Sequence, residues 1–351
     1  MRILQVTTHF FPFVGGLEHF VLDLSREQAK SQDVTVLTLK YNKDLETETR
    51  NDNIRILRFP GYCLLPHRYI WPRFGFSRKI SEINPDVVFT HTRFFATSFF
   101  AGQWAKHHHK KWIHVEHGEG NVHSKNIFLA IAAQIIDAFL GKWIFKNADV
   151  LVVFSEKAQK FVEQNGVDSD KIKIIPSGIS IPSVFKPIPR KNNALFFGRM
   201  VAEKGVREIL ECAAQCPDWT FELVGSGSLF YSEILPNVLW TPEILHECVP
   251  EKIQNADVIL APSYAEGFSL SVLESLAEGR AVISTRVGIA QNLLSPEFFI
   301  PSRDAHALCE KLKFFSQKFF LLEQEGRKNY ERAHLFSFER MMGKYNQLLS
   351  L

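Results

Sequence analysis

A glutamate in the loop between a buried strand and a buried helix is the first candidate for a catalytic or ligand-binding residue. The segment SYAEGFSLSVLESLAEGRAVIST, residues 263–285, places Glu266 between an apolar strand pattern and an apolar helix pattern. A carboxylate at that point can accept hydrogen bonds from the hydroxyl groups of a sugar. The backbone N–H groups of Gly267, Phe268 and Ser269 would open the following helix, where free N–H groups and the helix dipole attract phosphate.

A second glutamate lies eight positions later in the same segment. The pattern Ser271-Val-Leu-Glu274 matches a capping box, in which the glutamate reaches back to the start of its helix. Gly279 would then end the helix at its C′ position. A cap and a ligand contact are both open for Glu274.

Two cations follow another strand, in the stretch FGRMVAEKG. Arg199 comes just past the strand and Lys204 starts the next helix. Together they can hold a diphosphate, since arginine offers a planar fork and lysine a point charge. Taken alone, this pair is more typical of solvated surface charges.

Glycines lie at two strand-to-helix turns. Gly15 and Gly16 follow the first strand, and Gly225 lies in the GSGS stretch of the second half. Glycine lets backbone N–H groups approach a phosphate, and it also serves tight turns. Neither stretch has the Gly-x-Gly-x-x-Gly spacing, which disfavours a dehydrogenase.

A histidine ends a strand in HVEHGEG. We expect His117 to point from the strand end toward a ligand, or to be a hydrogen-bonded core histidine. Alternation along the strand places His114 and His117 on opposite faces, and the spacing is not His-Glu-x-x-His, so no metal site is predicted. Other potential ligands nearby are Glu116, Glu119 and His123.

Strand and helix patterns alternate almost throughout, which predicts an α/β fold of two doubly wound domains. The proline-rich stretch 178–193 lacks periodicity and is the clearest linker. We place an N-terminal domain at 1–185, a C-terminal domain at 186–334 and a final amphipathic helix at 335–351. In such sheets ligands lie at the carboxyl ends of strands, where the residues above fall.

Composition limits the partners. The 351 residues are 46% hydrophobic and 23% charged, with a net charge of only +3, so no field for nucleic acid is implied. The five cysteines form no Cys-x-x-Cys pair, and Cys212 and Cys216, one helical turn apart, are more typical of core thiols than of a disulfide or metal site. The N-terminus has no signal-peptide pattern, and a cytoplasmic location is predicted.

Two segments bear on membranes. The apolar run 127–145 is interrupted by Gln134, Asp137 and Lys142, so a buried helix is favoured over a membrane span. The basic and aromatic stretch 104–112 closes a helix, and contact with anionic lipid headgroups is the alternative role.

Taken in order, these motifs resemble the family 4 glycosyltransferases of GT-B architecture, two Rossmann-like domains facing each other across a cleft. The resemblance runs nearly end to end: GGLE, EHG, NADVLVVFSE, KIIPSGI, FGRMVAEKG, LVGSG and ADVILAPSYAEGFSLSVLESLAEGRAVIST. The last contains the family's pair of glutamates separated by seven residues. The resemblance also implies that the final helix, 335–351, packs back on the N-terminal domain.

The resemblance implies a hexosyltransferase-type enzyme that retains the configuration of the anomeric carbon and needs no cofactor or metal. The donor that the resemblance implies is a nucleotide-sugar. The 31 phenylalanines, the basic stretch 104–112 and the apolar run 127–145 favour a glycan or lipid-linked acceptor of the cell envelope, at the inner face of the membrane. Carried over by position, Arg199 and Lys204 hold the diphosphate, and Glu266 binds the transferred sugar. Glu274 binds the ribose, Gly16 a phosphate oxygen, and His117 the donor sugar near the reacting centre.

Three positions depart from the family pattern. Arg280 stands where proline is frequent, and Ile289 and Gln291 replace the usual glycine and glutamate. From these departures we expect either an unusual nucleotide-sugar donor or reduced activity. A nucleotide-sugar epimerase and a catalytically silent GT-B binding subunit are the alternative functions, and transfer to an acceptor separates them from a transferase.

Overall fold

The computed structural model describes residues 1–13, 15–40, 45–65, 69–118, 137–228, 235–242 and 244–350. They form two compact units, one of Met1–Ser177 with Met341–Leu351 and one of Gly178–Arg340. The division falls before the boundary that the sequence suggested at 185. The start of the proline-rich linker belongs to the second unit, because Ile179 forms a β-bridge with Ser337.

The N-terminal unit is built on a nine-stranded sheet. Its strands are β1 (Arg2–Val6), β2 (Asp33–Lys40), β3 (Glu48–Asn51), β4 (Ile54–Leu65), β5 (Tyr69–Pro72), β6 (Val87–His91), β7 (Lys111–Val115), β8 (Val150–Val153) and β9 (Ile172–Ile174). Along the sheet they run β3-β4-β2-β1-β6-β7-β8-β9, with β5 paired to β4 outside this path. All pairings are parallel except those of β3 and β5 with β4.

Helices connect the parallel strands of this unit. They are α1 (Gly16–Ala29), α2 (Phe76–Ile83), α3 (Ala96–His107), α4 (Lys142–Asn147) and α5 (Glu156–Gln164). A π-helical turn, Asp137–Gly141, leads into α4. The predicted apolar helix 127–145 therefore lies only partly within the described residues, because 119–136 are outside them. No helix in the described part of the chain is both long and apolar enough to cross a membrane.

The C-terminal unit has a five-stranded parallel sheet in the order β12-β11-β10-β13-β14. Its strands are β10 (Asn193–Phe197), β11 (Thr220–Val224), β12 (Val238–Thr241), β13 (Val258–Ala261) and β14 (Ala281–Ser284). Its helices are α6 (Val206–Gln215), α7 (Val249–Gln254), α8 (Leu270–Ala277), α9 (Ala290–Leu293), α10 (Ala305–Gln317) and α11 (Phe319–Ala333). The predicted α/β architecture with parallel sheets is confirmed.

The chain ends in α12 (Phe338–Ser350), the amphipathic tail helix. From Met341 onward it belongs to the N-terminal unit. Tyr345 is fully buried there, with its ring 6.1 Å from that of Phe89 on β6. Lys111 donates a hydrogen bond to the backbone carbonyl of Leu348.

Each sheet has one point where the strand order reverses. In the N-terminal unit the chain goes from β1 outward through β2 and returns to the other side of β1 at β6, and in the C-terminal unit β10 and β13 have this relation. Loops that leave neighbouring strands at such a point diverge to opposite faces and open a crevice for ligands. The residues that the sequence singled out follow these strands or their neighbours.

Candidate functional site

The loops after β10 and β11 pack together through glycine. Gly225 has φ 141°, and a Cβ there would lie 1.9 Å from the carbonyl oxygen of Gly198. The N–H of Met200 donates to the carbonyl of Ser226 at 2.9 Å, which ties the two loops side by side. Arg199 is exposed between Gly198 and Met200, so its guanidinium faces solvent from a loop with a fixed path.

The cation that the sequence placed at a helix start lies just before it. Lys204 ends a short 3-10 turn, Ala202–Lys204, and α6 begins two residues later at Val206. The delay arises because Gly205 takes the left-handed conformation, φ 73°, and a Cβ there would lie 2.3 Å from the carbonyl oxygen of Pro262. The loop after β10 is thereby pressed against the loop after β13.

This contact joins Lys204 and Glu266. The Nζ of Lys204 lies 2.5 Å from Oε1 of Glu266, and the Ser263 hydroxyl donates to the same oxygen at 2.7 Å. The two charged side chains are 21% and 12% exposed, so the pair is reachable from solvent but sheltered. An ammonium has three donors, so Lys204 can keep Glu266 and still bind a phosphate oxygen. The pair lines a small pocket with Phe196, Phe197, Ile259, Leu260, Ala261, Ser263 and Ser271.

The residue that precedes α8 has a strained backbone and a buried polar group that lacks a hydrogen bond among the described residues. Ser269, the residue before the helix, has φ 69° and ψ 77°, a left-handed conformation that costs a non-glycine residue roughly 1–2 kcal/mol. Its hydroxyl is buried and has no hydrogen-bond partner among the described residues. Strain and an unpartnered polar group at a helix N-terminus together indicate a place prepared for a ligand.

The predicted capping box is wrong. Since α8 begins at Leu270, Ser271 lies in the first turn and Glu274 in the middle of the helix. Glu274 instead approaches His246, with 3.6 Å between Oε1 and Nε2, and its side chain is 20% exposed. Burial lowers the pKa of His246. The prediction for Gly279 is confirmed: it follows α8 with φ 67°, and its N–H donates to the carbonyl of Leu276.

One of the three departures from the family pattern, Ile289, contacts the loop that carries Glu266. The N–H of Ile289 donates to the carbonyl of Phe268 at 3.0 Å. A Cβ added at the neighbouring Gly288 would lie only 2.9 Å from the Cβ of Glu266, so the two segments pack closely. Gln291 is exposed on the short helix that follows.

The third departure is structural. Arg280 is completely buried, and its guanidinium donates to backbone carbonyls of the linker, α7 and the end of α8. The six acceptors are the carbonyl oxygens of Lys186, Pro187, Ile253, Gln254, Glu278 and Gly279. Burial lowers its pKa to about 10, which leaves it charged at neutral pH. A buried arginine of this kind supports the scaffold and does not face the pocket.

In the N-terminal unit, Gly15 and Gly16 open α1 at the reversal point after β1. A Cβ on Gly15 would lie 2.5 Å from Oε2 of Glu18, so the glycine makes room for that carboxyl group. Glu18 is 5% exposed, and burial raises its pKa to about 7. Val14, just before the pair, lies outside the described residues.

His117 ends a chain of buried hydrogen bonds. Its Nε2 lies 3.2 Å from Nδ1 of His91, and Nε2 of His91 lies 2.7 Å from Oε1 of Gln5. Gln5 donates its own amide to Gln28, so its oxygen accepts from His91, and His91 in turn accepts from His117. Burial lowers the pKa of His117 to about 4 and that of His91 well below its ordinary value. Both imidazoles are therefore neutral at pH 7, and this order of donors and acceptors makes Nδ1 of His117 a hydrogen-bond acceptor.

The turn that carries His117 is held by a buried ion pair. Glu116 accepts from Arg93 at 2.8 Å and from the N–H of Gly118 at 2.7 Å, and both charged side chains are at most 1% exposed. Burial by itself raises the pKa of Glu116, but the hydrogen bond from His114 and the charge of Arg93 hold it at about 2. Since β7 ends at Val115, strand alternation does not assign a face to His117, contrary to the sequence argument.

Sequence reasoning missed several of these residues. His91 is the last residue of β6 and Arg93 lies two residues beyond it, much as His117 lies two residues beyond β7, so position at a strand end was a usable signal for them. Nothing in the sequence spacing linked His246 to Glu274. Nothing in it indicated that Glu18 would be buried with a raised pKa. Glu119 and His123 lie outside the described residues.

Two protein-family models match the chain. The model described as Glycosyltransferase Family 4 matches residues 14–181, and the model described as Glycosyl transferases group 1 matches residues 191–317. Together they span both units. The motifs identified in the sequence occur in the same order, first those of the N-terminal half and then those of the C-terminal half.

Glycosyltransferases are also found among the proteins that are similar to this chain in sequence, and a protein of similar fold is known. An uncharacterized glycosyltransferase of Methanocaldococcus jannaschii is 25% identical over 319 residues, 81% of each chain. The N,N'-diacetylbacillosaminyl-diphospho-undecaprenol alpha-1,3-N-acetylgalactosaminyltransferase of Campylobacter jejuni is 26% identical over 304 residues, 77% of each chain. Among solved structures, sucrose-phosphate synthase from Thermosynechococcus elongatus covers 99% of both chains with a TM-score of 0.78 at 20% identity.

Proposed function

Since the chain belongs to the family 4 glycosyltransferases and has the GT-B fold, we propose that it moves a sugar from a nucleotide-sugar donor to a glycan or lipid-linked acceptor. The proposal includes retention at the anomeric carbon, no metal requirement, and a role in synthesis of a cell-envelope polysaccharide or lipopolysaccharide. A cytoplasmic enzyme at the inner face of the membrane fits this role. The printed name of the Campylobacter jejuni relative, a transferase acting on a diphospho-undecaprenol compound, supports a lipid-linked acceptor.

The observation that carries the proposal is the Lys204–Glu266 pair. It joins the loops after β10 and β13, the two strands between which the sheet order reverses. A cation and a carboxylate side by side suit a ligand that has both phosphate and hydroxyl groups. A nucleotide-sugar has them adjacent, because its diphosphate is bonded directly to the sugar.

Charge stabilisation can proceed without a metal ion. When the bond between the anomeric carbon and the diphosphate breaks, negative charge develops on the leaving phosphate. Arg199, Lys204 and the N-terminus of α8 at Ser269 are fixed positive groups that can stabilise it, and fixed dipoles need no reorganisation during the reaction. The unpartnered Ser269 hydroxyl is a further donor for a phosphate oxygen.

The remaining contacts follow the family pattern. We assign the sugar hydroxyls to Glu266, the ribose hydroxyls to Glu274 and phosphate contacts to Gly267, Phe268 and the loop at Gly225. In the N-terminal unit, the resemblance assigns a phosphate contact to Gly15 and Gly16 and a sugar contact to His117. The neutral state of His117 at pH 7 supports a role as hydrogen-bond acceptor for a hydroxyl.

Lys204→Ala tests the proposal. Loss of a charge-assisted contact to phosphate, about 1.5–3 kcal/mol, should lower kcat/KM for transfer roughly tenfold to a hundredfold. Lys252→Ala is a matched control, because Lys252 forms a 2.5 Å ion pair with Glu222 in the same unit, away from the pocket. Equal activity in both variants would contradict a donor site at Lys204.

A screen of donor hydrolysis across common nucleotide-sugars comes first, since slow hydrolysis needs no acceptor. A hydrolysed donor then identifies the nucleotide and sugar for transfer assays. An epimerised donor would indicate the epimerase alternative. Binding with neither hydrolysis nor transfer would indicate a silent binding subunit.

A further inference from the structure

Three cysteines meet inside the C-terminal unit. Cys212 lies on α6, Cys216 follows the last residue of that helix, and Cys309 lies on α10. Their sulfur atoms all lie within 4.8 Å of one another, and the three side chains are at most 4% exposed. Among the described residues, this is the one group of three or more potential metal ligands that lie so close together.

We propose that Cys212, Cys216 and Cys309 bind a thiophilic metal ion of the Zn²⁺ and Cu⁺ class, which would clamp α6 to α10. Thiolate sulfur is the ligand that selects these ions over Mg²⁺ or Ca²⁺. The sequence suggested core thiols, because Cys212 and Cys216 alone are two ligands on one helix. The third ligand comes from 93 positions beyond Cys216 and becomes visible only in the fold.

The geometry is close to that of a metal-bound set. A metal–sulfur distance near 2.3 Å places tetrahedrally arranged sulfurs about 3.8 Å apart. The Sγ atoms of Cys216 and Cys309 are 2.9 Å apart, so they would need to separate by about 1 Å, which small side-chain rotations supply. Both residues are free cysteines in the structure, and the experiments below test whether a metal ion binds them.

The site lies at the carbonyl end of a helix. The side chain of Asn237 donates to the carbonyls of Ala213, Cys216 and Trp219 around the end of α6. The carbonyl of Gln215 instead faces the sulfur of Cys309, at 4.0 Å. The C-terminal end of a helix carries partial negative charge, which favours a cation there, and the Gln215 carbonyl is a candidate fourth ligand.

Protonation governs the binding. Burial raises the pKa of Cys216 to about 12 and also raises that of Cys212, so these two buried thiols keep their protons at pH 7 when no metal is bound. A bound metal ion replaces the three thiol protons, which pass to the buffer, and no electron transfer is involved. Lys313, one turn beyond Cys309 on α10, is the nearby cation; its Nζ is bonded to Glu310 at 3.2 Å.

The test uses the full-length protein, reduced and stripped of metal with a chelator. Cd²⁺ is the probe, because its bonds to thiolate absorb in the ultraviolet. The absorbance should saturate at one ion per chain, and the midpoint of thermal unfolding should rise, since the ion binds the native state. Cys309→Ser should weaken Cd²⁺ binding about a hundredfold or more, as expected for loss of one of three ligands.

The double variant Cys63→Ser with Cys248→Ser is the matched control, since both of these cysteines are exposed. It should bind Cd²⁺ as the unchanged protein does. Absorbance that survives Cys309→Ser but disappears in the control would overturn the proposal.

A measurement on the unchanged protein covers the case in which Cys309→Ser does not fold. Calorimetry in two buffers of different ionisation enthalpy should show about three protons released per Cd²⁺ at pH 7. Release of one proton or none, or the absence of saturable binding, rules the site out. A count of three free thiols that returns to five with reductant would show a disulfide and also contradict the proposal.

Discussion

Glu274 has two candidate partners, and a single substitution separates them. The structure excludes the cap and places the carboxylate 3.6 Å from His246, and the ribose contact is the second, proposed role. Glu274→Gln keeps the size of the side chain and removes its charge. We expect affinity for the nucleoside diphosphate to fall roughly threefold to tenfold, or about 1 kcal/mol, while the melting temperature barely moves. Titration calorimetry and thermal unfolding provide the two readings.

His246→Ala is the companion variant. It removes the imidazole that Glu274 approaches and leaves the carboxylate in place. If Glu274 served only to hold His246, the two variants would show the same loss of stability, and donor affinity would stay unchanged in both.

Glu18 predicts a pH dependence of stability. Its pKa is about 7 in the folded chain, against an ordinary 4.5, because burial disfavours the charged form. The folded state thus binds the extra proton, and the free energy of unfolding falls as pH rises from about 4.5 to about 7. Glu18→Gln, which stays neutral, should be more stable than the unchanged protein at pH 8 by up to about 3 kcal/mol. At pH 5 the gain should shrink to less than about 1 kcal/mol.

Denaturant midpoints at pH 5 and pH 8 measure this difference. Glu156→Gln is the control, since Glu156 also lies in the first turn of a helix but is exposed. The same pH dependence in both variants would show that burial of Glu18 is not its cause.

The candidate site was only partly predictable at this scale. Glu266, Lys204 and Arg199 stood out because each follows a buried strand, and strand ends are easy to find from periodicity. The environment of a residue was not predictable, since it depends on segments distant in sequence. The Lys204–Glu266 pair joins positions 62 apart, and the His91–Gln5 contact joins positions 86 apart.

At the scale of elements, the parallel strands were the most predictable part. Strands buried on both faces read as mostly apolar runs. The strand patterns predicted at 2–8, 86–91, 149–155 and 257–263 contain β1, β6, β8 and β13, respectively. Residues 48–51 and 69–72, which form the antiparallel strands β3 and β5, were missed. Both are only four residues long, and the residues of β3 are mostly exposed, so neither repeats an apolar pattern.

Arg280 tests how the C-terminal unit is held together. Arg280→Met keeps an unbranched side chain about as long as the aliphatic part of arginine and loses every donor, which leaves several buried carbonyls without their arginine partner. We expect a loss of about 3–5 kcal/mol in the free energy of unfolding, as for other buried charged groups that lose their bonds. Arg286→Met is the control, because Arg286 is exposed over the ring of Phe299 and should cost less than about 1 kcal/mol. Chemical denaturation compares the two.

Donor affinity gives a second reading for Arg280. Because its side chain faces carbonyls of the scaffold, the part of Arg280→Met that remains folded should bind nucleotide with unchanged affinity. A selective loss of affinity at full stability would contradict the structural role.

At the scale of the whole molecule, charge bears on association with a membrane. Lysine and arginine number 41 and aspartate and glutamate 38, so the net charge gives little general attraction to anionic lipid. Any electrostatic binding must then come from a local cluster. The segment 106–110 at the end of α3 is such a cluster, with Lys106, His107 and His109 exposed.

The aromatic side chains of this stretch are not available for a bilayer. Trp104 and Trp112 are buried, and the ring of Trp104 stacks on His108 at 4.3 Å. Lys111 is also engaged, through its hydrogen bond to Leu348 in α12. Attraction through this stretch would therefore be electrostatic, without insertion of tryptophan.

We expect the protein to bind anionic vesicles and not neutral ones, with binding that weakens as salt rises, because exposed charges are screened. Reversing two charges in Lys106→Glu with Lys110→Glu should weaken binding to anionic vesicles by about 2 kcal/mol or more, roughly thirtyfold, at about 1 kcal/mol for each lysine near the surface. Lys157→Glu with Lys160→Glu makes the same change of net charge on exposed positions of α5 and should have a much smaller effect. Vesicle sedimentation at low and high salt measures binding of the unchanged protein and of both double variants.

Equal weakening by both double variants would mean that overall charge, and not the end of α3, sets the attraction to anionic vesicles. Equal binding to neutral and anionic vesicles would remove the electrostatic explanation.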